Sequence, residues 1–228
     1  MKEIRGFTLI EMLVVMALAA ILTALAVPAF RALTTGSSVG ETTSVVKNTL
    51  DVAQSRAVSS HRYVGVVFDH KLQRDGAEDT QAVRLCNIKV EFNDAGDELN
   101  FTFDGWVRES QWRELKYGAS VLCAWKDASK KPVKSTQPIP DKLGNLVAIK
   151  SVWKTEVKGD TFDSEGVIFN PYGNVRKPED NLTFTIGEAK IVDKKFIFED
   201  TDNDGVPTNL MQLTLNRFTG RTEVVTND

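Results

Sequence analysis

The sequence predicts an α+β fold in which one long N-terminal helix, membrane-spanning and then a spine, packs on a C-terminal antiparallel β-sheet domain. Three observations carry this. Residues 7–30, FTLIEMLVVMALAAILTALAVPAF, are apolar apart from Thr8, Glu11 and Thr23. Residues 39–60 then show helical apolar spacing against a polar face. From Tyr63 onward the pattern changes to the two-residue alternation of strands.

As a helix rising about 1.5 Å per residue, the apolar run would be roughly 36 Å long, enough to cross a hydrocarbon core of about 30 Å. Lys2 and Arg5 lie in the short segment before it. Short basic flanks stay cytoplasmic, which predicts that the bulk of the chain faces the other way. Glu11 is the anomaly. A carboxylate inside a membrane helix costs about 2.5–3.5 kcal/mol on insertion scales, so it marks a function and calls for a partner.

Gly6-Phe7-Thr8-Leu9-Ile10-Glu11, set between a short basic leader and a long apolar helix, resembles the processing site of a type IV prepilin. The resemblance implies that a prepilin peptidase cuts between Gly6 and Phe7 and methylates the new amine of Phe7. It also implies that Glu11 neutralises the Phe7 amine of a neighbouring subunit as helices stack into a filament. An ion pair in a low-dielectric core needs both members, because one alone is costly. Three plainer readings stand beside it. A secretory signal peptide cut after Ala26 or Ala29 conflicts with an acid in the apolar region and with the short approach from Met1. An unprocessed single-pass anchor leaves Gly6 and Glu11 unexplained. A buried core helix is rarely apolar on every face.

The implied domain plan is a leader over 1–6, a transmembrane and filament-core helix over 7–36, an amphipathic spine helix over 37–61, and a β-rich globular domain over 62–228. The resemblance places the chain in the bacterial inner membrane as a single-pass protein with that domain periplasmic or extracellular, and then in a pilus or pseudopilus. The implied partners are other pilin or pseudopilin subunits, prepilin peptidase and the inner membrane. The helix is expected to falter at Thr34-Thr35-Gly36 and to restart at Ser38, whose spacing to Glu41 reads as a capping box. Val45, Val46, Thr49, Leu50, Ala53 and Ala57 form its apolar face.

Strands are expected at 63–68, 83–90, 99–103, 120–125 and 146–153. Residues 166–169 form another, leading into a turn where Pro171 sets φ and Gly173 tolerates positive φ. Further strands are expected at 183–186, 196–198, 210–215 and 221–225. Residues 93–98, 129–140 and 178–181 read as loops from their Pro, Gly and charge content. The Ser55-Arg56-Ala57 helix ending, the polar His61-Arg62, the Ile168–Gly173 turn and the late Thr219-Gly220-Arg221 hairpin together resemble the GspH/FimT branch of minor pilins and pseudopilins. The segment 70–165 carries none of that resemblance.

The formal net charge is -3, with 28 basic and 31 acidic residues, which makes nucleic acid an unfavoured partner. Arg217 and Arg221 lie near the end, but Glu223 and Asp228 offset them, so few phosphates could be neutralised. Two cysteines are too few for a disulfide scaffold. In an oxidising compartment Cys86 and Cys123 could still pair, worth about 3–4 kcal/mol in loop entropy, or both could be small buried hydrophobes. His61 and His70 have no nucleophile in a recognisable elbow and no phosphate-cradling glycine loop, so no enzyme is expected. Trp106, Trp112, Trp125 and Trp153 read as core or subunit contacts rather than a stacking surface.

Asp200, Asp202 and Asp204 alternate before Gly205 like the first half of a calcium loop, with Val206 offering a carbonyl. Met211 stands where a bidentate Glu is expected, and Glu199 is the nearest substitute. The resemblance adds that some pseudopilins bind calcium in a C-terminal loop. An Asp-Gly turn between two strands is the alternative, and no other cofactor is expected. Two functions remain: a structural minor subunit of a type II secretion pseudopilus or type IV pilus, and a filament-borne binding module for DNA uptake or adhesion.

Overall fold

A computed structural model describes the backbone of residues 9–72, 80–92, 99–125, 144–153, 161–192, 195–198, 201–203 and 205–225. The chain divides into two compact units, Met1–Ser37 and Ser38–Asp228.

The helix among the described residues, α1, runs Leu9–Ser60 without interruption. The expected break at Thr34-Thr35-Gly36 does not occur. A glycine costs a helix only about 1 kcal/mol and a threonine less, which neighbouring turns absorb. Ser38 and Glu41 therefore sit inside the helix and form no capping box; Glu41 instead pairs with Lys116 at 3.2 Å. The helix ends where His61 takes φ +54. The Arg62 amide reaches the Ala57 carbonyl (3.3 Å) and the His61 amide that of Val58 (3.4 Å), a Schellman closure. His61 thus has a structural role at the helix end.

In the second unit α1 buries Val39, Val46, Leu50, Ala53 and Ala57 completely, at the three- and four-residue spacing read from the sequence. Thr42, Thr43 and Thr49 are buried with them. The Thr43 and Thr49 hydroxyls donate to the carbonyls of Val39 and Val45, which removes the cost of burying them.

Among the described residues thirteen strands follow: β1 Tyr63–Leu72, β2 Thr80–Phe92, β3 Leu99–Trp106, β4 Arg113–Glu114, β5 Ala119–Trp125, β6 Val147–Trp153, β7 Thr161–Phe169, β8 Val175–Lys177, β9 Leu182–Glu188, β10 Lys190–Val192, β11 Lys195–Ile197, β12 Leu210–Leu215 and β13 Thr222–Val225. A seven-stranded sheet runs β1-β2-β3-β6-β7-β8, with β4 beside β2, and pairing of β1 with β7 closes the path into a ring. All its pairings are antiparallel except the one parallel contact at Thr102 and Lys150. A four-stranded antiparallel sheet runs β13-β12-β9-β5, and β10 with β11 forms a small ribbon.

Alternation along β1 explains why its run is apolar on both faces. Val64, Val66 and Phe68 join α1 and the four-stranded sheet in the main core, where Phe68 stacks on Phe184 at 5.4 Å. Val67 points the other way, into a second core with Cys86, Ile88, Phe101, Ile149 and Ile168 inside the closed ring. Gly65 fits there because a Cβ would lie 2.9 Å from the Cys86 sulfur. A third, smaller core of Leu122, Ala189, Ile191, Phe196 and Phe198 fills the space under the ribbon.

Candidate functional site

In the first unit the described side chains of α1 before Ser37 are apolar apart from Glu11 and Thr23, and all of them are exposed. Leu9 is 85 % exposed and Met16 72 %, and Ile10, Leu13, Val14, Leu18, Ile21 and Leu22 are all exposed. Burying each such side chain is worth about 1.5–3 kcal/mol, so this surface demands a covering of lipid or other helices. Thr23 donates its hydroxyl back to the Ala19 carbonyl at 2.8 Å and presents little unmet polarity. Glu11 lies on the helix, one turn or less from the first described residue, Leu9.

Gly6 and Phe7 lie outside the described residues. Among the described residues, no helix is long and apolar enough to cross a membrane. The span expected over 7–36 reaches beyond the described side chains at both ends.

The remaining sequence-derived residues are dispersed. Cys86 and Cys123 are free and buried, which corrects the expectation that they could pair. The physical reason is topological: Cys86 is in β2, facing the interior of the ring, whereas Cys123 is in β5 of the other sheet. Burial pushes the Cys86 thiol up to about 12 and raises that of Cys123 as well, so both are inert hydrophobes.

Trp106 and Trp112 meet edge-on at 5.2 Å, Trp106 meets Phe103 at 4.9 Å, and all three pack on the ring's core. The side chain of Trp153 lies outside the described residues.

In the acidic loop only Asp202 of the three aspartates is described; Asp200, Asp204 and Glu199 lie outside the described residues. Asp202 accepts from the Val206 amide through Oδ1 at 2.9 Å. Its own amide donates to the Val206 carbonyl at 2.8 Å, and Gly205 has φ +77. These two hydrogen bonds tie Asp202 to Val206. No group of three metal-ligating side chains is assembled among the described residues.

Two turns meet at the side of α1, and sequence reasoning found each without the link between them. Asn170 caps one turn by accepting from the Tyr172 and Asn174 amides, and Asn216 caps the other by accepting from those of Phe218 and Thr219. Gln54 donates to the Gly173 and Thr219 carbonyls. Gly220, at φ +65, has no room for a Cβ, which would fall 2.0 Å from the Gly173 oxygen. Tyr172 and Phe218 project from this junction, both strongly exposed. Arg217 stacks over Phe218 at 5.5 Å and its guanidinium donates to the Glu179 carbonyl, so it belongs to the turn rather than to an open basic surface.

Comparison with known proteins adds a direct finding for the N-terminus. Residues 1–27 match the family model described as the prokaryotic N-terminal methylation motif. The crystal structure of the type IV minor pilin FimU from Pseudomonas aeruginosa (strain PAO1) is similar over 83 % of this chain and 87 % of that one. The two are 15 % identical and superpose with a TM-score of 0.34. Residues 1–27 therefore carry a prokaryotic N-terminal methylation motif, and the large apolar side chains described within it, Leu9 to Leu22, are exposed.

Proposed function

We propose that the protein is a minor pilin or pseudopilin, a non-enzymatic structural subunit of a type IV pilus or a type II secretion pseudopilus. It is inserted in the bacterial inner membrane through residues 7–36, with the domain from residue 38 onward on the periplasmic side. Prepilin peptidase cuts it between Gly6 and Phe7 and methylates Phe7. The mature chain then assembles with other pilin subunits through its helix, Glu11 neutralising the Phe7 amine of a neighbour. In this reading it sits in the GspH/FimT branch, on the turn and hairpin motifs given above.

The observation that carries the proposal is the joining of a methylation motif to an apolar helix with every described face uncovered. Lipid covers such a surface before assembly and neighbouring helices cover it afterwards, so one segment serves both states. Intact-mass and N-terminal analysis of the protein from a host with prepilin peptidase tests it. The expected product begins at methylated Phe7. A chain that begins at Met1, or after Ala26 or Ala29, overturns the proposal.

A further inference from the structure

A cleft of about 410 Å³ opens between α1 and the loop joining β3 to β4. Its volume falls within the range of about 300–1,000 Å³ common for ligand sites. Val52 and Arg56 line it from the helix, Val107, Arg108 and Trp112 from the loop, and Arg113 from the start of β4. Arg56, Arg108 and Arg113 are exposed, and none of them has an ion-pair partner among the described residues. Among the described residues the one carboxylate lining the cleft belongs to Glu109, so positive charge is in excess there although the chain as a whole is -3.

The loop that presents these arginines is held rigidly. Arg84 stacks over the Trp106 ring at 4.2 Å and donates to the Ser110 carbonyl at 2.7 Å. The Ser110 hydroxyl donates to the Leu85 carbonyl at 3.1 Å, and the Val107 amide to the same oxygen at 3.2 Å. Glu109 is kept at φ +67, a left-handed conformation that a glutamate adopts at a cost and only when its surroundings impose it. A pinned loop loses little freedom when a ligand docks, so the cleft is preorganised.

We propose that this cleft binds the carboxylates of an acidic peptide segment on a protein partner. Guanidinium groups recognise carboxylates through paired hydrogen bonds, and an anion placed among three of them relieves their mutual repulsion. Trp112 and the half-exposed Val52 supply an apolar wall for the aliphatic part of a glutamate side chain or its neighbour. A nucleic-acid strand suits the cleft less well. Its phosphates need a long track of cations, whereas here three arginines converge on one cleft, with Glu109 among them, on a negatively charged chain. The assignment is independent of whether the N-terminus assembles into a filament.

The test is fluorescence anisotropy of a labelled hexaglutamate peptide titrated with the full chain in a neutral detergent at low ionic strength. Saturable binding is expected, weakened about tenfold by Arg108→Gln with Arg113→Gln, as expected for lost charge-assisted hydrogen bonds. Arg113→Lys, which keeps the charge but not the fork, should fall between the two. Arg62→Gln, an exposed arginine that does not line the cleft, should bind like the unmodified protein. Absence of saturable binding, or an equal loss in Arg62→Gln, overturns the proposal. Tighter binding of a labelled oligothymidylate of equal charge overturns it in favour of nucleic acid.

Discussion

The side-chain amide of Gln81 binds the backbone of Val121 at two points. Its Nε2 donates to the Val121 carbonyl at 2.9 Å and its Oε1 accepts from the Val121 amide at 2.7 Å. Gln81 belongs to β2 of the closed sheet and Val121 to β5, the edge of the four-stranded sheet. A buried glutamine thus imitates a strand residue and satisfies the edge where the two sheets meet. Gln81→Ala leaves a buried donor and a buried acceptor unmet, each costing about 1–3 kcal/mol. The expected loss is about 2–4 kcal/mol in urea unfolding of the domain from residue 38, whose three cores lie wholly within it. A loss below about 0.5 kcal/mol, within the range of ordinary surface changes, would show that the pair is not a structural joint.

Both cysteines should be reduced and protected even after isolation from an oxidising compartment. Intact mass should show two free thiols, unreactive toward maleimide in the folded protein and both reactive in denaturant. The pH dependence follows from the Cys86 thiol, raised from 9.0 to about 12 by burial. The folded state holds this proton more tightly than the unfolded chain, so its stability contribution is full below pH 9 and is lost as the pH rises from 9 toward 12. Cys86→Ala should flatten that decline while costing some stability from the cavity it leaves. An unchanged alkaline profile in the alanine variant would assign the decline to other groups.

Glu11 and Gly6 separate processing from assembly. Gly6→Val should leave an uncut, membrane-held precursor, because a branched side chain blocks close approach of a peptidase to the backbone. Glu11→Ala should insert at least as well as the unmodified chain, since it removes a charge that costs about 2.5–3.5 kcal/mol in lipid. It should be cut normally yet be poorly incorporated, which immunoblotting of sheared filaments reads directly. Full incorporation of the alanine variant would sink the pairing with Phe7.

The acidic loop has two contributions that a melt can separate. Asp202→Ala removes the cap on the Val206 amide and should cost about 1 kcal/mol in chelator. Calcium at Asp200, Asp202 and Asp204 is a proposal on top of that turn. At millimolar calcium a site of about 0.1 mM affinity adds roughly 1.5 kcal/mol to the unmodified domain and nothing to Asp202→Ala. Equal midpoints with calcium and with chelator in the unmodified domain would leave the turn alone.

Much of this chain could be read locally because its signals are local. The apolar run from Phe7, the face of Val46, Leu50, Ala53 and Ala57, the alternation of β1 and the Pro171–Gly173 turn each depend on residues a few positions apart. Gly173 does take φ +85, as the turn chemistry requires. The short strands β4, β8 and β10 escaped because two or three residues carry no period, and their partners on β2, β7 and β11 hold them in place. The continuity of α1 through Thr34-Thr35-Gly36 shows that weak local breakers do not end a helix supported on either side.

What only the tertiary structure decided is which distant residues meet. Closure of β1 onto β7 gives the strands two buried faces and puts Cys86 in a core that Cys123 never enters. Gln81 reaches Val121 across two sheets, and Gln54 holds turns that lie 119 and 165 residues away. The cleft arginines come from the helix and from the loop and first residue of β4 some fifty positions later, in a stretch where no motif could be quoted. The N-terminal motif is the reverse case. It is a contiguous segment, residues 1–27, so sequence alone carries it, whereas a cleft needs residues that only a folded chain brings together.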